Sequence, residues 1–490
     1  MSSPTLQKDT NRRMVKFQIG DGFDNSPPKT HRNQSHLLIQ NGENSMANLP
    51  TTNRNQKQEQ PKEEENEDYR QLQKVFQKLE MSDQIVLYRA YRLLPAACSA
   101  LWRSTRKRLD FRTLHKELDV EAQNHLLIHM MEHFKYVYFV ADKLQDNLNA
   151  LERAGVKSLN SVQRCELLLD EGTKSEARNQ HHPAGGDSCG VKVMAQWPLH
   201  ALPKLMRNVR RLKAHCNIQV HFIEHFEHLE LLVLYATISQ TALTGVLEKC
   251  QKLSRLFLKF DSDTLSLKSI DKCLKLRDFS LSIGLFAQQR ELVIKLTKLR
   301  LLELTHCQKD IQLTLECLDF VLSNRLESVE LLQLDCSGFQ DPSWMKEVGL
   351  DRCSQMRALV LFNCKFCDRE ISQLALPRVQ KYIALNSCHD IKEYQVLDMV
   401  RRCPGLQEIY LIDCPQLSWK VLQGIYRIRK SENLNYPITV IVSQCTELRE
   451  VYQKMYSNYW CFKLAYLKIE QVQTDNRPIE NIQVFFNNSP

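Results

Sequence analysis

The chain is 490 residues long, 43% hydrophobic and 25% charged, with a formal net charge of +9. That length exceeds one small core and predicts two or three structural units. Only 14 glycines are present, with no GxGxxG or P-loop string, which argues against a phosphate-cradling nucleotide site.

The polar start Met1-Ser2-Ser3-Pro4 lacks the apolar stretch of a secretory signal. No uncharged apolar run reaches the roughly 18 residues of a membrane span. A soluble protein of the cytoplasm, the nucleus or both is therefore expected. In that setting the 17 cysteines read as reduced thiols rather than a disulfide framework.

Residues 1–68 hold no Trp, Tyr or Cys and end in the acidic run Glu63-Glu64-Glu65-Asn66-Glu67-Asp68. Such a composition buries too little apolar surface to offset chain entropy, so a disordered tail is predicted. Helical spacing begins at residue 69, with Leu72, Val75, Phe76 and Leu79 on one face. Ser82 or Asp83 can cap a second helix bearing Leu87, Ala90, Tyr91 and Leu94. Pro95 suits the first turn of a third helix bearing Leu101 and Trp102. A helical module over 69–120 results. Leu126, Met130, Phe134, Tyr138 and Leu144 extend the helical spacing into a linker over 121–200, which includes a polar loop from Asp170 to Val191. Two basic groups, Arg103/Arg106/Lys107/Arg108 and Lys204/Arg207/Arg210/Arg211/Lys213, read as solvated helix faces. No nucleic-acid module accompanies them.

From residue 201 to 490 one pattern recurs: apolar, two arbitrary residues, apolar, one arbitrary, apolar. Copies are Leu229-Leu232-Leu234, Leu253-Leu256-Leu258, Leu276-Phe279-Leu281, Leu299-Leu302-Leu304, Leu326-Val329-Leu331, Met356-Leu359-Leu361 and Leu406-Ile409-Leu411. Ile383-Leu385, Val440-Val442 and Leu464-Leu467-Ile469 are less regular. The starts at 229, 253, 276, 299 and 326 lie 23 to 27 residues apart. That is the length of a short strand and a returning helix in a stacked coil. Cys307, Cys364, Cys388, Cys414 and Cys445 each stand three residues past the last apolar position, where a small thiol can fill a corner. Cys250, Cys273, Cys353 and Cys403 stand three residues before the first. An insertion around Gly338 to Trp344 is expected to form a loop on one face.

The stretch Val400-Arg401-Arg402-Cys403-Pro404-Gly405-Leu406-Gln407-Glu408-Ile409-Tyr410-Leu411-Ile412-Asp413-Cys414 resembles the cysteine-containing leucine-rich repeat of F-box proteins. The resemblance implies an α/β leucine-rich-repeat solenoid, a horseshoe, preceded by a small all-helical F-box-like module and the disordered tail. Leu72-x-x-Val75-Phe76-x-x-Leu79, Asp83-Gln84-x-x-Leu87 and Leu101-Trp102 are similar to the three F-box helices, although Glu67-Asp68 stands where an F-box usually opens with Leu-Pro. On that resemblance Leu72, Val75, Phe76, Leu79, Leu87 and Trp102 form the adaptor-binding module. The implied partners are a Skp-type adaptor, through it a cullin-RING ubiquitin ligase, and a protein substrate. The alternative is a leucine-rich-repeat scaffold without ligase association.

Neither reading requires an enzyme, a cofactor or a metal. His221-Phe222-Ile223-Glu224-His225 matches the HxxEH string of inverted zinc peptidases but abuts a repeat strand and lacks a further acidic ligand. Cys364-x-x-Cys367 has no second pair. Residues between inward positions point onto the concave face, the docking surface of solenoids. Here they include Tyr235, Arg255, Phe257, Lys259, Ala358, Val360, Phe362, Glu408, Tyr410 and Ile412, a set rich in the aromatics that anchor protein interfaces.

Overall fold

The computed structural model describes residues 79, 83–86, 107–169, 198–218, 220–323, 329–340, 342–353, 356–367, 379–432, 438–443, 445, 465–474 and 477–486. Leu72, Val75, Phe76, Leu87 and Trp102 lie outside them, as does residues 1–68. Of the predicted module, Leu79 is half-buried against the core, Gln84 donates its side-chain amide to the Leu79 carbonyl (2.8 Å), and Ile85 is fully buried in one helical turn.

Thirteen parallel strands, counted among the described residues, run in chain order through one open sheet. They are β1 (Arg108–Asp110), β2 (Tyr136–Val140), β3 (Arg164–Leu168), β4 (Arg211–Ala214), β5 (Leu231–Leu234), β6 (Arg255–Leu258), β7 (Asp278–Ser282), β8 (Leu301–Thr305), β9 (Leu331–Asp335), β10 (Ala358–Phe362), β11 (Tyr382–Asn386), β12 (Glu408–Ile412) and β13 (Thr439–Ser443). Helices such as Gln240–Lys249, Ile283–Val293, Ile311–Ser323 and Glu393–Arg402 return the chain between strands. Their starts follow from side-chain caps: Ser239 accepts from the Ala242 amide and Ser282 from that of Leu285. Elsewhere a single 3-10 turn, Ile270–Lys272, suffices.

The ladder explains the core. In-register pairing puts Leu232, Leu256, Phe279, Leu302, Leu332, Leu359, Ile383, Ile409 and Val440 in one buried row. A second row two residues on runs from Leu234 to Val442. Both pack against the helices as one continuous apolar cluster.

Four expectations change. First, the ladder begins at Arg108, so strands occupy the end of the 69–120 module and the 121–200 linker. Val120–Met130 is helical as expected, but Tyr138 lies on β2, where Phe134-x-x-Val137-x-Phe139 is itself the repeat pattern. Helical spacing from Met130 to Tyr138 arose because a helix end and a strand abut. Second, Arg108, Arg211 and Lys213 lie on strands, not helix faces. Third, β9 is read three residues later than Leu326-Val329-Leu331: Leu332 and Leu334 pair with Leu302 and Leu304, leaving Leu331 outward. Both frames satisfy the pattern, but an odd shift turns every side chain to the opposite face, and only this one buries both leucines. Fourth, Leu467 and Ile469 belong to β14 (Ala465–Thr474), which pairs antiparallel with β15 (Arg477–Phe486). β15 in turn pairs antiparallel with β13, so the ladder of repeats ends at Ser443. Around the insertion, residues 337–340 and 342–343 form turns and bends without helix or strand. Trp344 opens the short helix Trp344–Glu347, is 2% exposed and stacks on Phe339 at 4.9 Å.

The cysteines do occupy corners. His306, Asn363, Ser387 and Asp413 directly follow their strands with φ of 61°, 53°, 54° and 50°, and the next residue is Cys307, Cys364, Cys388 or Cys414. The left-handed residue turns the chain, and the thiol fills the space beneath it. Cys388 donates to the Leu361 carbonyl (3.9 Å), Cys414 to that of Leu385 (3.7 Å) and Cys445 to that of Leu411 (3.5 Å), each on the preceding repeat. In the second column Cys250 reaches the Ile223 carbonyl (3.7 Å) and Cys273 that of Leu247 (3.4 Å). Burial pushes the Cys250 and Cys307 thiols up to about 12, so they stay protonated. All described cysteines are free.

The register of β9 has a direct test. Leu332→Ala should lower stability by about 2–5 kcal/mol, the cost of deleting a buried leucine, and Leu331→Ala by less than half of that, read by urea unfolding. Equal costs would contradict the assignment.

Candidate protein-docking face

The sheet face away from the helices carries the alternate residues of every strand. At its centre Glu303 on β8 is 6% exposed and held by two neighbours. The Lys259 ammonium, reaching from just past β6 across β7, pairs with Glu303 Oε2, while Gln333 on β9 donates to Oε1 at 2.6 Å. Lys259 also lies 5.3 Å from the Phe257 ring centroid. A buried carboxylate is tolerated when it is paired and its remaining lone pairs are filled. Beside it on β7, burial holds the Asp278 carboxyl above its usual range, outweighing Arg277, Arg255 and Arg300. Ser280 is fully buried between them.

Toward β13 the face turns apolar. Ala358, Val360, Tyr382 and Ala384 form a buried cluster distinct from the core, with Leu331, Phe362 and Tyr410 packed on it. The Tyr382 and Tyr410 rings meet edge to face at 5.7 Å, and the Tyr410 hydroxyl donates to Glu408 Oε2 at 2.7 Å. Burial first, then that carboxylate, raises the Tyr410 phenol far above its ordinary value. Neutral phenols beside alkyl groups make a surface that is apolar in body and polar at its tips, as interface tyrosines are.

Toward β1 the face is basic and aromatic. Arg108 caps the Tyr138 ring at 3.9 Å, and Arg164 lies 4.8 Å from the Tyr136 centroid. His215 stacks on Tyr235 at 4.3 Å and meets Glu166 at 2.9 Å. Burial raises the Glu166 carboxyl, but the His215 hydrogen bond and the charges of Lys213, His215 and Arg108 outweigh it, leaving it below the usual range.

Tyr235, Arg255, Phe257, Lys259, Phe362, Glu408 and Tyr410 are half-buried and outward, while Ile412 is 7% exposed. Sequence reasoning missed Glu303, Gln333, Tyr382, Ala384 and everything on β1 to β4. Glu303 and Gln333 are the arbitrary middle residues of Leu302-x-Leu304 and Leu332-x-Leu334, a position that the repeat pattern leaves blank.

In the HxxEH string the glutamate is engaged by a lysine of the next repeat. Glu224 sits on the 3-10 turn Ile223–His225 and accepts from Lys249 at 2.7 Å, with His221 at 3.3 Å. Cys364 is a corner thiol, and the amides of Phe366 and Cys367 are taken by the Asp390 carboxylate at 3.1 Å. Among the described residues, no group of three or more His, Cys, Asp or Glu is arranged to hold a metal.

No family model matches the chain. No curated protein matches it either. Among solved structures, the leucine-rich repeat-containing protein LegL7 from Legionella pneumophila is similar at 11% identity and a TM-score of 0.36, over 61% of this chain and 92% of that one. The repeat architecture is read from the ladder itself.

The Glu166–His215 contact has a pH signature. A carboxylate whose folded pKa lies below its ordinary 4.5 contributes stability that is fully present above that pH and fades as pH falls through the folded value. The stability advantage of the native protein over Glu166→Gln should therefore shrink below pH 4.5 in chemical unfolding series. A constant difference down to strongly acid pH would contradict it.

Proposed function

We propose that this chain is a protein-docking solenoid that serves as the substrate-recognition subunit of a Skp–cullin–F-box type ubiquitin ligase in the cytoplasm or nucleus. The docking half rests on one observation: a second apolar cluster, built around Val360, Tyr382 and Ala384 and rimmed by Phe362 and Tyr410, on the sheet face that the helices leave uncovered. Its rim, Leu331, Phe362 and Tyr410, is half-buried and offers apolar and aromatic side chains of the kind that anchor protein interfaces. The polar centre would help fix the register of a bound protein through Lys259, whose ammonium pairs with the buried Glu303 and keeps some exposure on this face.

The ligase half rests on the sequence resemblance of Leu72, Val75, Phe76, Leu79, Leu87 and Trp102 to an F-box. In this reading the chain contributes no catalytic residue. It holds a target near the transferring subunits, and the gain is proximity. A scaffold without adaptor is the second reading, favoured by Glu67-Asp68 at the place of the usual Leu-Pro.

Two measurements separate these. The intact chain should retain a purified Skp-type adaptor in a pull-down, and Val75→Glu should abolish retention while thermal unfolding of the solenoid stays in place. No retention by the intact chain leaves the scaffold alone. For docking, proteins that accumulate when the Phe362→Asp chain replaces the native one should bind the native chain directly, and at least ten times more weakly to Phe362→Asp or Tyr410→Ala. Equal binding by both variants would remove the face from the account.

A further inference from the structure

The sheet ends in an edge that its own pairing leaves open. β14 stands last in the strand order and pairs with β15 along its whole length, from Ala465↔Phe486 to Thr474↔Arg477. Among the described residues no strand pairs with its other side. At about twice the usual strand length, such an edge presents a row of unpaired N–H and C=O groups, which natural sheets shorten, cover or pair.

Alternation decides which residues supply that row. The Thr439 amide donates to the Gln407 carbonyl beside β12, so the peptide groups of Val440 and Val442 point the other way, to β15. Val440 pairs with Val484, so those of Gln483 point to β14. Lys468 pairs with Gln483, and its own groups are thereby taken by β15. The groups of Ala465, Leu467, Ile469, Gln471 and Gln473 therefore point to the open edge. Opposed residues also share a face, so the two apolar rows that reach Val440 and Val442 extend through Val484 to Leu467 and through Ile482 to Ile469.

We propose that β14 pairs antiparallel with β14 of a second copy of this chain, about a two-fold axis at Ile469. Edge-facing groups meet edge-facing groups only when a residue stands on the axis. With Glu470 there, two glutamates oppose each other, and with Lys468 two lysines do. With Ile469 there, residues 465–473 pair, and Lys468 of each copy stands opposite Glu470 of the other. Charges on an edge strand ordinarily discourage added strands. In this register they select the chain's own copy. The five edge-facing residues of each copy supply about ten backbone hydrogen bonds. The row through Val442, Ile482 and Ile469 then continues into the second solenoid instead of stopping at an open edge, and each copy caps the other.

Sedimentation velocity of the full chain across the micromolar range tests this, and the native chain should dimerise. Lys468→Glu and Glu470→Lys should each weaken the dimer about tenfold, because each sets like charges opposite one another at two places. An equimolar mixture of those two variants should dimerise as tightly as the native chain, since one copy then carries two glutamates and the other two lysines. On β15 the residues opposite 468 and 470 are Gln483 and Asn481, so neither change opposes like charges within the hairpin. Ile469→Pro removes an edge-facing N–H and spares every bond to β15, so it should abolish the dimer with thermal unfolding unchanged. Phe362→Asp, on the open face, should leave the dimer intact, so dimerisation and docking fail separately. A native chain that stays monomeric, a dimer that survives Ile469→Pro, or a variant mixture no tighter than either variant alone would overturn the proposal.

Discussion

The constraint on which everything else depends is the register of the parallel ladder. Each strand pairs with the next so that two apolar rows face the helices without interruption. Because side chains alternate along a strand, fixing those rows also fixes which residues face away. The open face is therefore a consequence of core packing. Lys259 reaches Glu303 only because β6, β7 and β8 keep the same register.

The corners make that register repeatable. A parallel strand must leave the sheet sharply, and a left-handed residue followed by a thiol accomplishes this at His306-Cys307, Asn363-Cys364, Ser387-Cys388 and Asp413-Cys414. The thiol is small, apolar in body and a weak donor, so it can bond a carbonyl of the previous repeat without demanding a full polar network. A larger side chain would overfill the corner, and a charged one would be stranded there. Stability is then a sum of like contacts between neighbours, as expected for a solenoid.

Much of this was legible in the sequence. The apolar triplets and the two cysteine columns located β5 to β8 and β10 to β13 at the residues where they are found. What was hidden shares a physical cause. In β2 and β3 the triplets are Phe134-Val137-Phe139 and Val162-Cys165-Leu167, aromatic or mixed rather than leucine-rich, and helix spacing explained them equally well. In β9 two frames of one leucine run satisfied the pattern, and only pairing with β8 decided between them. The polar centre and the basic end are long-range products of the ladder. Nothing local in Arg108 or Arg211 signals that Tyr136 and Arg164 will lie between them.

The central claim is that the uncovered sheet face, rather than the helical layer, holds another protein. Photo-cross-linking tests it most directly, with a benzophenone side chain introduced at Phe362 on the open face or at Tyr394, which is 41% exposed on the helix Glu393–Arg402. Discrete adducts from position 362 and none from 394, in cells expressing the full chain, are the predicted result. Adducts from 394 with none from 362 would contradict the account.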